Sequence, residues 1–293
     1  MMSEYWIFAA WFNKISLYLG SAMVIGAAFC YFLLARYNAI KNSLIQYMTL
    51  GAAIGLISSI LAFLLLIGSF SNSGLGGMFN WTYINIILNT ATGHIHLIRI
   101  ICFALILGLL IFRLNRKSNK VTTLEKFCLA SALLLIAYSF SQLGHVTNLS
   151  IFAQLLLTVH VLLMSVWMGS LYPLWKISHI ITGLPLKQSM HLFGRIAAFI
   201  VAILIACGVS IALLLIKDVD TLLATPYGQG FIIKLLFVIS ILLLAAFNKW
   251  YFTPRLQQPQ FAKQLGYAIL FEMSLGLLIL MTTAYITTVV GIE

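Results

Sequence analysis

Four histidines of this chain lie in segments that are otherwise apolar or that join two apolar segments. His94 and His96 form the sequence GHIH, His145 stands with Asn148 in GHVTN, and His160 lies within LLTVHVLLMSVWMGS. An imidazole nitrogen without a partner in hydrocarbon costs about 1–3 kcal/mol, and an ionisable side chain inside a membrane segment often marks a functional site. We interpret these histidines as a line of metal ligands that descends into the membrane. A hydrogen bond from His160 to a neighbouring helix is the alternative.

Methionines follow His160 at helical spacing. Met164 and Met168 come four and eight residues after it, and Trp167 falls on the same side of the predicted helix. Imidazole and thioether together suit the soft ion Cu(I). The pattern therefore predicts a copper site that includes Met164 and is supported by Met168 and Trp167, although methionines at this spacing also serve as core filler.

Glu272 is the only acidic residue inside a predicted membrane span. A buried carboxyl group needs a protonated state or a basic partner, and we expect it at a depth close to that of His160. The two side chains would then form a proton-coupled or charge-compensating pair beneath a cation. A neutral carboxylic acid bonded to a backbone carbonyl is the alternative.

Two short stretches resemble each other. TATGHIHLIR at 90–99 and TPYGQGFIIK at 225–234 share the pattern T-x-x-G-x5-[R/K] at the start of an apolar segment. Four spans separate them, which predicts two parallel halves, 1–143 and 144–293, within one polytopic membrane domain over 1–293. We expect Arg99 and Lys234, the last residues of the two patterns, to reach the outer headgroups or to pair with an acid.

The elements that must position these residues are membrane helices. The chain has 293 residues, of which 62% are hydrophobic and 8% are charged, and its mean hydropathy is +1.06. Such a composition excludes a soluble domain. About 20 apolar residues span a bilayer as a helix, and eight such stretches are present, which predicts an all-α integral membrane protein. They lie at about 15–35, 47–70, 97–112, 127–143, 151–172, 196–216, 231–252 and 265–290.

The basic residues give the expected orientation. The net charge is +11, and 13 of the 17 Lys and Arg residues lie in alternate connections, those after spans one, three, five and seven. By the positive-inside rule these connections face the cytoplasm and both termini face the periplasm. The same clustering at membrane boundaries argues against a nucleic-acid partner. The longest outer connection, 71–96, is glycine-rich and then aromatic, and we expect it to lie on the membrane.

Several motifs resemble the copper resistance protein D family. GHVTNLSIFAQLLLTVHVLLMSVWMGSLYPL at 144–174 is similar to its GH turn and H-x6-W-x-G helix, and LLATPYGQGFIIKLLFVISILLLAAFNKWYFTPRL at 222–256 is similar to its T-x-YG-x5-K and N-x6-PRL segment. The two segments cover about a quarter of the chain, and eight spans agree with that architecture. The matching positions are His145, His160, Trp167, Gly169, Tyr227, Gly228, Lys234, Asn248, Pro254 and Arg255.

The resemblance implies a bacterial inner-membrane protein that moves copper from the periplasm toward the cytoplasm beside a separate periplasmic copper-binding protein. We expect His94, His96 and His145 to capture the ion and His160 with Met164 to pass it inward. Two alternatives are a haem-b redox protein with histidines as axial ligands and a copper sensor or delivery scaffold that does not transport. No hydrolytic triad or nucleotide motif is visible, so we expect neither an enzyme nor an ATP-driven pump.

Overall fold

The computed structural model describes residues 4–34, 36–71, 73–115, 122–144, 150–215 and 219–290. Within these ranges every regular element is a helix. Eight α-helices are long, namely α1 (Glu4–Leu33), α2 (Asn38–Ser71), α4 (Ala91–Asn115), α5 (Thr123–Ser139), α6 (Ile151–Ile180), α7 (Gly183–Leu215), α9 (Pro226–Phe247) and α10 (Pro259–Tyr285). Two short helices, α3 (Trp81–Leu88) and α8 (Val219–Ala224), each precede a long one.

Seven of the described helices are long and apolar enough to cross a membrane. The predicted span at 127–143 corresponds to α5, which has 17 residues. At 1.5 Å per residue α5 is about 25 Å long, slightly shorter than a hydrocarbon core of about 30 Å. The protein is thus a helical integral membrane protein, whereas an eighth span stays a prediction.

Both ends of the described chain lie at one end of the bundle, which we call the terminal end. The indole nitrogen of Trp11 in α1 donates to the carbonyl oxygen of Met281 in α10 at 3.1 Å, and Lys14 Nζ donates to the carbonyl oxygen of Thr287 at 3.1 Å. Thr287 belongs to a π-helical turn, Ile286–Val290, that continues α10. These contacts close the bundle between its first and last helices.

Helices α1 and α6 cross at the centre of the bundle through two glycines. A Cβ at Gly169 of α6 would lie 3.0 Å from Gly26 Cα of α1 and would overlap the carbonyl oxygen of Ala22. Only glycine permits the two backbones to approach this closely. The crossing therefore joins the first four long helices to the last four.

Each group of four long helices also has apolar packing of its own. In the first group, one core cluster joins residues of all four helices, among them Val24, Ala52, Phe103 and Ile136. In the second group, another cluster does the same with Leu171, Leu204, Ile241 and Leu275, and it extends to the ends of α1 and α2. Helices α1 and α6 thus each contribute to the apolar core of their own group and to the crossing between the two groups.

The repeated sequence pattern forms the same local structure twice. The hydroxyl of Thr90 accepts a hydrogen bond from the backbone N–H of Gly93 at 3.1 Å, and the hydroxyl of Thr225 accepts one from Gly228 at 3.1 Å. Each threonine thereby satisfies a free N–H group at the start of a long helix, α4 or α9.

We expect Thr90→Ala and Thr225→Ala each to lower the free energy of unfolding by about 1 kcal/mol, because each removes one helix cap. Thermal unfolding of the purified protein in detergent measures the loss. Thr90→Ser and Thr225→Ser keep the hydroxyl and should unfold close to the wild-type temperature. Serine variants as unstable as the alanine variants would show that the caps are not responsible.

The connection before α4 is partly helical and strongly apolar. A 3-10 helix, Leu75–Phe79, precedes α3, and the Asn80 side chain between them accepts from the backbone N–H of Thr82 at 3.1 Å. Leu75, Phe79 and Trp81 are each about 70% exposed. Such exposure in a membrane protein fits the expectation that this connection lies against the bilayer.

Candidate metal-binding residues in the bundle

His160 lies on α6 about 14 Å from the start of the helix, since nine residues separate it from Ile151. Its ring packs against α7, where a Cβ at Gly208 would lie 3.4 Å from His160 Cε1 and 3.7 Å from Nδ1. The ring also contacts the backbone of Leu204. Nδ1 is buried and has no hydrogen-bond partner among the described residues. Nδ1 is therefore the candidate ligand atom of this side chain.

Three methionines pack against a small apolar cluster, and the two on α6 lie one and two turns beyond His160. Met164 and Met168 of α6 and Met281 of α10 all pack against it. Its buried members come from α1 and α10, namely Ile15, Tyr18, Leu280 and Ala284. We call Met164, Met168 and Met281 the methionine seam. The sequence pattern predicted the two methionines of α6, whereas Met281 joins them only through the packing of α10.

Trp167 and Met168 have clear packing roles as well. Trp167 is buried in the core of the second group. Met168 lies directly against Gly276 of α10, where a Cβ would be 2.8 Å from the Met168 sulfur. The large indole and the flexible thioether both fill space between α6 and its neighbours. The indole of Trp167 therefore belongs to the apolar core of the second group.

His96 is buried, whereas the His160 side chain as a whole is half-buried. His96 lies on α4 with its ring centroid 6.1 Å from that of Phe63 in α2, and its Nδ1 is also buried without a described partner. His94, two residues earlier, is exposed. The predicted ligand His145 and its neighbour Asn148 lie outside the described residues.

The predicted single line of histidines is not formed by the described part of the chain. His96 faces α2 and His160 faces α7, because α4 packs chiefly on α2 and α5 while α6 packs on α1, α7 and α10. No group of three or more His, Cys, Asp or Glu side chains that could hold a metal ion occurs in the described ranges. The buried imidazole of His96 and the half-buried imidazole of His160 are therefore separate, and Met164 of the methionine seam lies one helical turn from His160.

The position of Arg99 differs from the one that the sequence predicted. Its side chain neither reaches the headgroups nor pairs with a described acid. Its side chain is only 2% exposed. Nε donates to the Ser139 hydroxyl at 2.9 Å, Nη2 donates to the Ser139 carbonyl oxygen at 3.2 Å, and the guanidinium lies 4.6 Å from the Phe140 ring centroid. These contacts hold a positive charge one turn below His96, where it disfavours a cation.

Lys234 of α9 is half-buried and lies close enough to His160 to act on it electrostatically. The positive charge of a protonated Lys234 weakens the binding of a cation at His160. Weak binding favours release rather than storage, because a closed, tightly bound centre would not exchange its ion. The arrangement around His160 thus suits transient binding.

Glu272 lies far from His160. It is buried in α10 and accepts a hydrogen bond of 2.8 Å from Asn248 Nδ2, where a π-helical turn, Asn248–Phe252, begins. Met168 of α6 contacts Gly276 of α10, so these two residues lie at the same depth. On α6, His160 is eight residues from Met168 toward the terminal end. On α10, Glu272 is four residues from Gly276 toward the opposite end. By helical rise His160 and Glu272 are about 18 Å apart in depth. The expected direct pair is therefore not formed.

These features define a polytopic helical membrane protein with a buried and a half-buried imidazole on different helices and three methionines that pack on one apolar cluster. Residues 2–150 match the family described as Copper resistance protein D-like, N-terminal domain, and residues 187–286 match the family described as Copper resistance protein D. The first match alone covers more than half of the chain, so the chain belongs to the copper resistance protein D family. No curated protein and no solved structure matches it.

Membership in this family confirms the resemblance drawn from the motifs. It gives the protein a copper-related function at a membrane. The structure shows the contacts of two motif residues, since Gly169 lies at the α1–α6 crossing and Asn248 donates a hydrogen bond to Glu272.

Proposed function

We propose that this protein carries copper ions across the bacterial inner membrane from the periplasm to the cytoplasm. The observation that carries the proposal is the buried, unpartnered Nδ1 of His160, one helical turn from Met164, the first of three methionines that pack on one apolar cluster. A nitrogen ligand followed by thioether sulfurs is a ligand set that Cu(I) accepts. The ion passes from His160 to Met164 and then along the methionine seam.

The distribution of basic residues supports an orientation of the protein in the membrane, and the membrane potential supplies a driving force for the ion. The terminal end has few basic residues and faces the periplasm, while the opposite end has most of them and faces the cytoplasm. We accordingly assign eight spans, including α5, and periplasmic termini. A membrane potential of 100 mV then favours inward movement of one positive charge by about 2.3 kcal/mol. Import needs no nucleotide hydrolysis.

The remaining predicted residues except His96 take supporting roles in this scheme. His94 is exposed at the terminal end, which supports capture of the ion there together with His145, beside Asn148, from a separate periplasmic copper-binding protein. His96 takes no part in this path, because it is buried beside Phe63 and the Arg99 charge lies one turn away. Lys234 keeps the affinity at His160 moderate. Glu272 lies about one turn beyond Met168 toward the cytoplasmic end and balances the charge of an ion that leaves the seam.

Two halves, 1–143 and 144–293, are the architecture we assign. The repeated caps at Thr90 and Thr225, the order of long and short helices and the end of the first family match at residue 150 support this division. The α1–α6 crossing then lies between the halves.

The proposal is tested by copper flux into sealed proteoliposomes. We expect the triple variant Met164→Leu, Met168→Leu, Met281→Leu to lower the flux about tenfold, because leucine keeps the volume of methionine but removes the sulfur ligand. Melting temperature in detergent should change little. Flux is measured with a copper-sensitive reporter inside the vesicles under reducing conditions.

Met48→Leu with Met190→Leu is the matched control, because both methionines are buried elsewhere in the bundle. This control should keep wild-type flux. Equal flux in the seam variant and the control would show that the seam methionines are core filler, and the proposed path would be wrong.

The same preparations distinguish the two other functions. A haem-b protein shows a Soret band after purification, whereas a copper carrier does not. A copper sensor or delivery scaffold binds copper but gives no flux above that of empty vesicles. The different neighbours of His96 and His160, α2 and α7, favour the carrier over a haem held between these two imidazoles.

A further inference from the structure

A cleft lies between α1, α2, α4 and α5 at the end of the bundle opposite the termini. It is a shallow groove with a cavity volume of about 30 Å³. Six of its nine lining residues are apolar side chains, and the other three are Tyr31, Arg113 and Lys126. An apolar cleft with two basic side chains suits an amphipathic ligand that carries negative charge.

Arg113 is held at the cleft by Tyr31. Its Nη2 donates to the Tyr31 hydroxyl, and its guanidinium carbon lies 4.8 Å from the Tyr31 ring centroid. A guanidinium has five N–H donors, so donors remain for an anion after this bond. Neither Arg113 nor Lys126 has an acidic partner within the described ranges, and both charges are therefore uncompensated there.

The sequence adds further positive charge to the connection between α4 and α5. The connection between α4 and α5 carries Arg116, Lys117 and Lys120 in addition to Arg113 and Lys126, against one acid, Glu125. Basic clusters next to membrane helices attract anionic lipids by about 1 kcal/mol per residue. The attraction is independent of any copper bound elsewhere in the bundle.

We propose that this cleft is a binding site for an acidic phospholipid. The headgroup phosphate binds Arg113 and Lys126, and an acyl chain lies along the apolar walls formed by residues such as Ala28, Ile45 and Leu129. A lipid accounts for both kinds of wall, whereas a free phosphate ion leaves the apolar surface without a partner. The site is formed by the first group of four long helices. It does not depend on the transport proposal.

Native mass spectrometry of the full chain, released from detergent with added lipid, tests the site. We expect the wild type to retain phosphatidylglycerol in preference to phosphatidylethanolamine. The double variant Arg113→Gln, Lys126→Gln should lose at least about tenfold in phosphatidylglycerol affinity. Lys176→Gln with Lys263→Gln removes the same charge at the same end without lining the cleft, and it should retain the lipid.

Leu129→Trp provides a second variant, because it fills the cleft and keeps both charges. It should also lose phosphatidylglycerol. Retention of the lipid by this variant, or equal loss in the Lys176 and Lys263 control, would overturn the proposal. Millimolar inorganic phosphate should not displace the lipid, and displacement would indicate an anion site without an acyl-chain groove.

Discussion

His160→Ala is expected to lower copper flux into proteoliposomes about 100-fold, the upper part of the range for disruption at a metal site. The variant removes the imidazole whose Nδ1 is buried without a partner, at the entrance to the methionine seam. Copper then has no nitrogen ligand between the terminal end and Met164. Flux is measured with the copper reporter, and membrane insertion is checked by size-exclusion chromatography.

A purely structural role of His160 is tested separately by His160→Gln. Glutamine can keep a polar contact with the backbone of Leu204, but its amide does not replace imidazole as a copper ligand. We expect flux as low as in the alanine variant and a melting temperature close to that of the wild type. His191→Ala, at an exposed histidine, is the control and should keep full flux. Normal flux in His160→Gln would contradict the role of His160 as a ligand.

Hydropathy predicted the long helices but not where they begin. The first span was expected at 15–35, whereas α1 starts at Glu4. The extra turns contain Asn13, whose side-chain amide donates to the Ser58 carbonyl oxygen of α2 at 2.9 Å. A hydropathy window counts this residue as polar and ends the span, but the partner on another helix makes its burial favourable. Helix boundaries thus depended on contacts between helices.

The sequence predicted those parts of the candidate site whose residues lie close together on one helix. The spacing of His160 and Met164 shows directly that both lie on one helix face. Met281 follows no such pattern, because α10 brings it to the seam from more than a hundred residues away. Arg99 was expected at the headgroups, but Ser139 and Phe140 of the next helix enclose it. Which helices become neighbours could not be read from periodicity.

Gly169→Ala is expected to cause the largest loss of stability of the changes considered. Its Cβ would overlap the carbonyl oxygen of Ala22, which is backbone and cannot move aside as a flexible side chain can. Forcing extra volume into a packed interface costs about 1–3 kcal/mol and sometimes more. Alanine regains about 0.5–1 kcal/mol over glycine in a helix, so we expect a net loss of about 2 kcal/mol. Thermal unfolding in detergent measures it.

Gly108→Ala is the matched control, because the same substitution in the middle of α4 meets no atom within 4 Å. This variant should unfold at the wild-type temperature or slightly above it. Gly26→Ala, on the other side of the crossing, should repeat the loss, and the double variant should fall short of the sum because both changes separate the same two helices. If Gly169→Ala were as stable as Gly108→Ala, α1 and α6 would not be in backbone contact. The junction between the two groups of helices would then have to be sought elsewhere.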